Sequence, residues 1–140
     1  MRVQTGQSLR IFKVGLVIVL LMIISGLLGS NDRRDQDVLN PYLAQDKNAF
    51  SLLILAEESD YMNQTNILNE MIGAYPGYFS QAGVLTTDSG EGKKIRDELD
   101  VRQVPAYLLL DHVQVILVDH DLAAFRSDSA QMIEERRLSR

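Results

Sequence analysis

The sequence predicts an α/β domain, a mixed four-stranded sheet with flanking helices, preceded by one N-terminal transmembrane helix. Three observations carry this. Phe50–Ala56 and Ala106–Leu110 are continuous apolar runs of strand length, the pattern of strands covered on both faces. Segments with apolar residues at three- and four-residue spacing lie between and after them, as in helices with one buried stripe. Finally, Val14–Leu28 runs fifteen residues without a charge.

With Ile11, Phe12, Gly29 and Ser30 this last segment reaches about 20 residues, and a helix rising ~1.5 Å per residue then covers the ~30 Å of a bilayer core. It is apolar on all faces, unlike a soluble core helix. Gly26–Ser30 lacks a pair of small residues at signal-peptidase spacing, so residues 1–30 read as an uncleaved signal-anchor whose partner is membrane lipid through residues 14–28. Arg2, Arg10 and Lys13 on the N-side outweigh Arg33 and Arg34 on the C-side. This orients the chain as single-pass, N-terminus in, with the domain extracytoplasmic.

Residues 31–47 form the expected tether. Asn31–Asp37 is polar and charged without apolar periodicity. Val38–Ala44, broken by Asn40-Pro41, either caps the domain or continues the tether. Phe50–Ala56 is the first strand. Ser59 or Asp60 is a ready N-cap for a helix from about Tyr61 to Tyr75, where Met62, Ile67, Leu68, Met71 and Ile72 recur and Pro76-Gly77 stops it. Ala82–Thr86 is a short second strand, Thr87–Gly92 a loop, and Lys93–Leu99 a short helix with Ile95 and Leu99 on one face. Ala106–Leu110 is the third strand, Asp111-His112 a turn, and Val113–Val118 the last strand. Ser127 or Asp128, with Gln131, opens a final helix to about Arg137. A crossover helix implies a parallel pair and the two-residue turn an antiparallel one.

Charge excludes one class of partner. The first 30 residues hold three basic side chains and no acid. The remaining 110 hold 11 basic and 19 acidic residues, a net of −8. An acidic domain without tryptophan is unsuited to nucleic acid, whose phosphates need clustered Lys and Arg. The chain has no cysteine. Disulfides, Cys-ligated metals and dithiol exchange by this chain are therefore excluded.

The strand–helix order, with Val101-Arg102-Gln103-Val104-Pro105-Ala106-Tyr107-Leu108-Leu109-Leu110-Asp111, resembles the thioredoxin superfamily. Leu55-Ala56-Glu57-Glu58-Ser59-Asp60-Tyr61-Met62 resembles that family's strand, turn and CxxC motif, with Ser59 at the first cysteine and Met62 at the second. The resemblance makes residues 48–140 a thioredoxin-like domain and implies a cis bond before Pro105, beside which the family holds an extended peptide. Where the family has a thiolate stabilised by the helix dipole, this chain has a serine suited to capping and a methionine expected to fill space as a buried apolar group.

Other chemistry is discounted. His112 and His120 bracket the last strand, about 26 Å apart at ~3.3 Å per residue, so they cannot share one metal; each reads as a surface turn residue. Ser89–Lys94 has Thr87 where a phosphate loop needs its first glycine and Lys94 where it needs a hydroxyl. Neither metal nor cofactor is expected. The leading functional expectation is a non-catalytic, membrane-tethered module binding a protein or peptide in a groove of Ser59, Asp60, Tyr61, Met62, Val104, Pro105 and Tyr107. The alternatives are a thioredoxin-fold enzyme borrowing the thiol of a cofactor such as glutathione, and a structural subunit of a membrane complex.

Overall fold

The computed structural model describes residues 38–140; the anchor read at 1–30 and the tether up to residue 37 lie outside the described residues. Two apolar strands form the centre because every side chain of Phe50–Ala56 (β1) and Ala106–Leu110 (β3) is buried. Phe79–Thr86 (β2) and Val115–Asp119 (β4) flank them, in the order β2-β1-β3-β4. The helices are Tyr61–Ala74 (α1), Gly90–Glu98 (α2) and Leu122–Leu138 (α3), with 3-10 turns at Asn40–Tyr42 and Glu58–Asp60. Among the described residues no helix is long and apolar enough to cross a membrane.

Strand alternation divides the core. Phe50, Leu52, Ile54, Tyr107 and Leu109 face Leu68 and Met71 of α1 and Phe125 and Ile133 of α3. Leu53, Leu55, Ala106, Leu108 and Leu110 face Ile95 of α2, with Leu39 and Val101. Full burial of such a side chain is worth ~1.5–3 kcal/mol, so these two clusters dominate the fold's stability. Of the two readings of Val38–Ala44, capping the domain is the one adopted: Leu39 and Ala44 are buried.

Strand directions agree with expectation except at the second crossover. β1 and β2 are parallel, and β3 and β4 antiparallel. β3, however, runs antiparallel to β1, although α2 precedes it. β2 ends at Thr86 and β3 begins at Ala106 beside Leu55, so α2 and Leu99–Pro105 leave and return to the same end of the sheet. Nine helical residues plus that loop make an out-and-back path rather than a full crossover.

Several boundaries move, each for a local reason. β2 begins at Phe79, because the alternately exposed Ser80 and Ala82 belong to an edge strand that needs only one covered face. α2 begins at Gly90 rather than Lys93: Ser89 Oγ accepts from Gly92 N at 3.0 Å, a cap that offsets two glycines. Gly92 itself is required, since a Cβ there would lie 2.0 Å from the Thr86 carbonyl oxygen. β4 begins at Val115 because Asp111 Oδ1 accepts from both Val113 N and Gln114 N, holding a longer turn. α3 begins six residues before Asp128, capped by Asp121, whose Oδ1 accepts from Ala124 N at 2.9 Å. Ser127 and Asp128 lie inside it. α1 spans one residue less than expected, and Gly77 beyond its end takes φ +81°.

Candidate functional site

β1, β2 and β4 end, and β3 begins, at one end of the sheet. This end carries the candidate residues. The chain leaves β1 through exposed Glu57, Glu58 and Ser59, then enters α1 at Asp60. Tyr61 is 39% exposed and Met62 69%. The buried filler expected at Met62 is thus corrected: the first turn of α1 turns Met62 to solvent while Gln64 takes the inward position. The Val104–Pro105 bond is cis, and both residues are half-buried as the chain enters β3.

One hydrogen-bonded chain joins the two halves of the site. Asp60 occupies the cap position of α1 without a cap bond to the backbone. Its carboxylate instead accepts from two side chains, Asn63 Nδ2 at 3.1 Å and Gln64 Nε2 at 2.7 Å. Gln64, only 2% exposed, spends its amide oxygen on the Tyr107 hydroxyl, which donates at 3.0 Å. A buried amide is tolerated only when satisfied on both sides, and here it is. Tyr107 lies 5.5 Å, centroid to centroid, from Phe125. At 2% exposure it is the floor of the site rather than a contact on its surface. Burial, above all, pushes its hydroxyl pKa up; Asp60 and Asp121 add to the rise, and Gln64 and Arg126 oppose it.

Sequence reasoning missed three participants. Gln64 gave no signal beyond its i+4 spacing from Asp60. His120, read as a remote turn residue, has Nδ1 3.3 Å from the Pro105 carbonyl oxygen. Asp121 caps α3 beside it. The pairing of Tyr107 with Asp119 across β3 and β4 places both at the Pro105 end.

The chain matches no protein-family model and no curated protein sequence. Solved structures do resemble it. Thioredoxin O2 from Arabidopsis thaliana, in its oxidized state, aligns over 72% of this chain and 86% of its own at TM-score 0.50 and 14% identity. A designed protein aligns over 62% of this chain and 83% of its own at TM-score 0.51 and 12% identity. The fold is thioredoxin-like. At such identities the likeness speaks for the fold alone, and chemistry must come from the residues present.

Several of those residues are exposed. The start of α1, where a thioredoxin-like frame can activate a thiol, here presents Ser59 and Met62. A serine hydroxyl does not ionise near neutral pH, even at a helix N-terminus. Among the described residues no group of three or more His, Asp or Glu side chains is placed to hold a metal. The depressions beside Glu70 and Arg126, beside Phe50 and Arg136, and beside Tyr42 and Glu91 lie away from the seven candidate residues. The candidate site is open, with an exposed aromatic and an exposed thioether next to a proline loop.

Proposed function

We propose that the chain is a membrane-tethered, non-redox module of thioredoxin-like fold that binds a protein or peptide partner near the membrane surface. The carrying observation is the exposure of Tyr61 and Met62 at the start of α1, in a chain without cysteine. Tyrosine and methionine supply contact area that adapts to a partner, and neither serves dithiol chemistry. The Asp60–Gln64–Tyr107 chain supports this reading, since it holds α1 against β3 so that the surface exists before a partner arrives. Val14–Leu28 supplies the membrane anchor, and the excess of Arg2, Arg10 and Lys13 over Arg33 and Arg34 orients the chain N-terminus in, with the domain extracytoplasmic.

The test is photo-crosslinking from position 61 in the full-length chain in its native membranes, followed by an alkaline carbonate wash and mass spectrometry. One dominant protein adduct is expected in the washed pellet, reduced about tenfold by Met62→Ser, a loss of ~1.4 kcal/mol. Scattered adducts insensitive to Met62→Ser would remove the binding role. Release of the chain into the wash would remove the tether.

A further inference from the structure

We infer that the partner is a peptide segment in which lysine or arginine stands beside apolar residues. This rests on the proposed docking role of the α1–Pro105 surface and adds the chemistry that the surface selects. The apolar part is Tyr61 with Met62. Around it stand carboxylates from two separate junctions. Glu57, Glu58 and Asp60 come from the turn between β1 and α1, and Asp119 and Asp121 from the turn between β4 and α3. Asp60 reaches the Tyr107 hydroxyl through Gln64, and Asp121 caps the helix that leaves β4 at this same end.

No side chain of the described residues forms an ion pair with these five. Ion pairs among the described residues include Arg102 with Asp100, Arg126 with Glu70 and Arg137 with Glu134. Arg126, the cation nearest the site's floor, is engaged by Glu70 at 2.9 Å, and Arg102 by Asp100 at 3.1 Å. His120 directs Nδ1 at the Pro105 carbonyl. Five carboxylates at one end of a sheet sum to a negative potential that draws a cationic segment and repels an acidic one. The exposed Tyr61 and Met62 between them select a segment with apolar side chains rather than a small cation.

The experiment measures binding to the full-length chain in zwitterionic nanodiscs, by fluorescence anisotropy. The probes are a labelled octapeptide alternating lysine with leucine and two counterparts, with glutamine or glutamate in place of lysine. The lysine peptide is expected to bind about tenfold tighter than the glutamine peptide, with the glutamate peptide weaker still. Glu57→Gln with Glu58→Gln should weaken the lysine peptide about fivefold and flatten its salt dependence. Met62→Ser should weaken the lysine and glutamine peptides alike. Asp128→Asn with Glu135→Gln, remote on α3, should leave all three unchanged. Equal binding of the three peptides, no binding of the lysine peptide, or an equal loss in the remote variant overturns the inference. A single crosslinked adduct at position 61 together with charge-indifferent peptides would keep the docking role and remove the charge rule alone.

Discussion

The two ends of the sheet use similar residue types to opposite effect. At the end where β1 begins, the cations are consumed. Arg136 lies 4.1 Å from the centre of the Phe50 ring and donates to the carbonyls of Lys47 at 3.0 Å and Ala49 at 3.2 Å. Arg140 sits 4.9 Å from the Tyr78 ring centre and donates to Asn48 O at 2.7 Å. Guanidinium faces cover the aromatic rings, and backbone carbonyls take the donors, so these two cations are held in place. At the other end Tyr61 and Met62 stand open, and the carboxylates there form no ion pair among the described residues. A carboxylate cannot close over an aromatic face as a guanidinium does, because ring face and anion are both negative. One end holds two arginines in place; the other leaves Tyr61 and Met62 exposed.

Four substitutions or titrations sharpen this contrast. Phe125→Ala should do the most damage. Phe125 is fully buried and supports Tyr107, so its loss should cost about 3–5 kcal/mol and weaken crosslinking at position 61. Denaturant midpoints measure the first effect, and a loss under ~1 kcal/mol would mean that α3 does not hold the site's floor. Arg136→Ala should cost about 2 kcal/mol by releasing two carbonyls and the Phe50 face, with crosslinking per folded molecule unchanged. A drop in crosslinking there would show that the two ends are coupled.

Tyr107→Phe keeps the ring and removes only the donor to Gln64. It should cost about 1 kcal/mol, from a buried amide oxygen left without its partner, and loosen the first turn of α1. Hydrogen exchange of the Tyr61–Thr65 amides reads the loosening, and unchanged exchange would sink the bridging role. The smallest effect appears only in alkali. Tyr42 donates to Glu91, and burial first, then that bond and the charge of Glu91, push its pKa up to about 12 from 10. A raised pKa stabilises the fold fully below pH 10, and that contribution is lost as pH rises from 10 toward about 12. Wild type should therefore lose stability faster than Tyr42→Phe over that window in urea titrations; parallel curves would show that the contact is not maintained in solution.

The central strands were legible because their composition leaves no alternative. Among the described residues, seven and five consecutive buried positions take apolar side chains on both faces, Ser51 excepted. The cis bond at Val104-Pro105 was legible through the family resemblance, and the start of α1 through its apolar periodicity, although Asp60 makes no cap bond to the backbone. The early starts of α2 and α3 were not. Gly90 and Gly92 read as loop by propensity, yet contact with the Thr86 carbonyl leaves no room for a Cβ at position 92. Asp121 was not recognised as a helix start; it caps α3 through Ala124 N, one residue before the buried Phe125.

The sequence by itself determined the α/β class, the two buried strands, the absence of thiol chemistry and the negative charge of the folded part. Each follows from residue type or short-range periodicity. Only the tertiary structure decided that β3 runs against β1, that Met62 faces solvent while Gln64 turns inward, and that His120 lies beside Pro105. Those outcomes join residues far apart in the chain: Gln64 and Tyr107 are 43 positions apart, and Ser51 pairs with the still more distant Leu110. The reason is physical: helix phase and strand direction are set by which arrangement buries the apolar surface with every buried polar group paired, a condition on the whole chain rather than on any window of it.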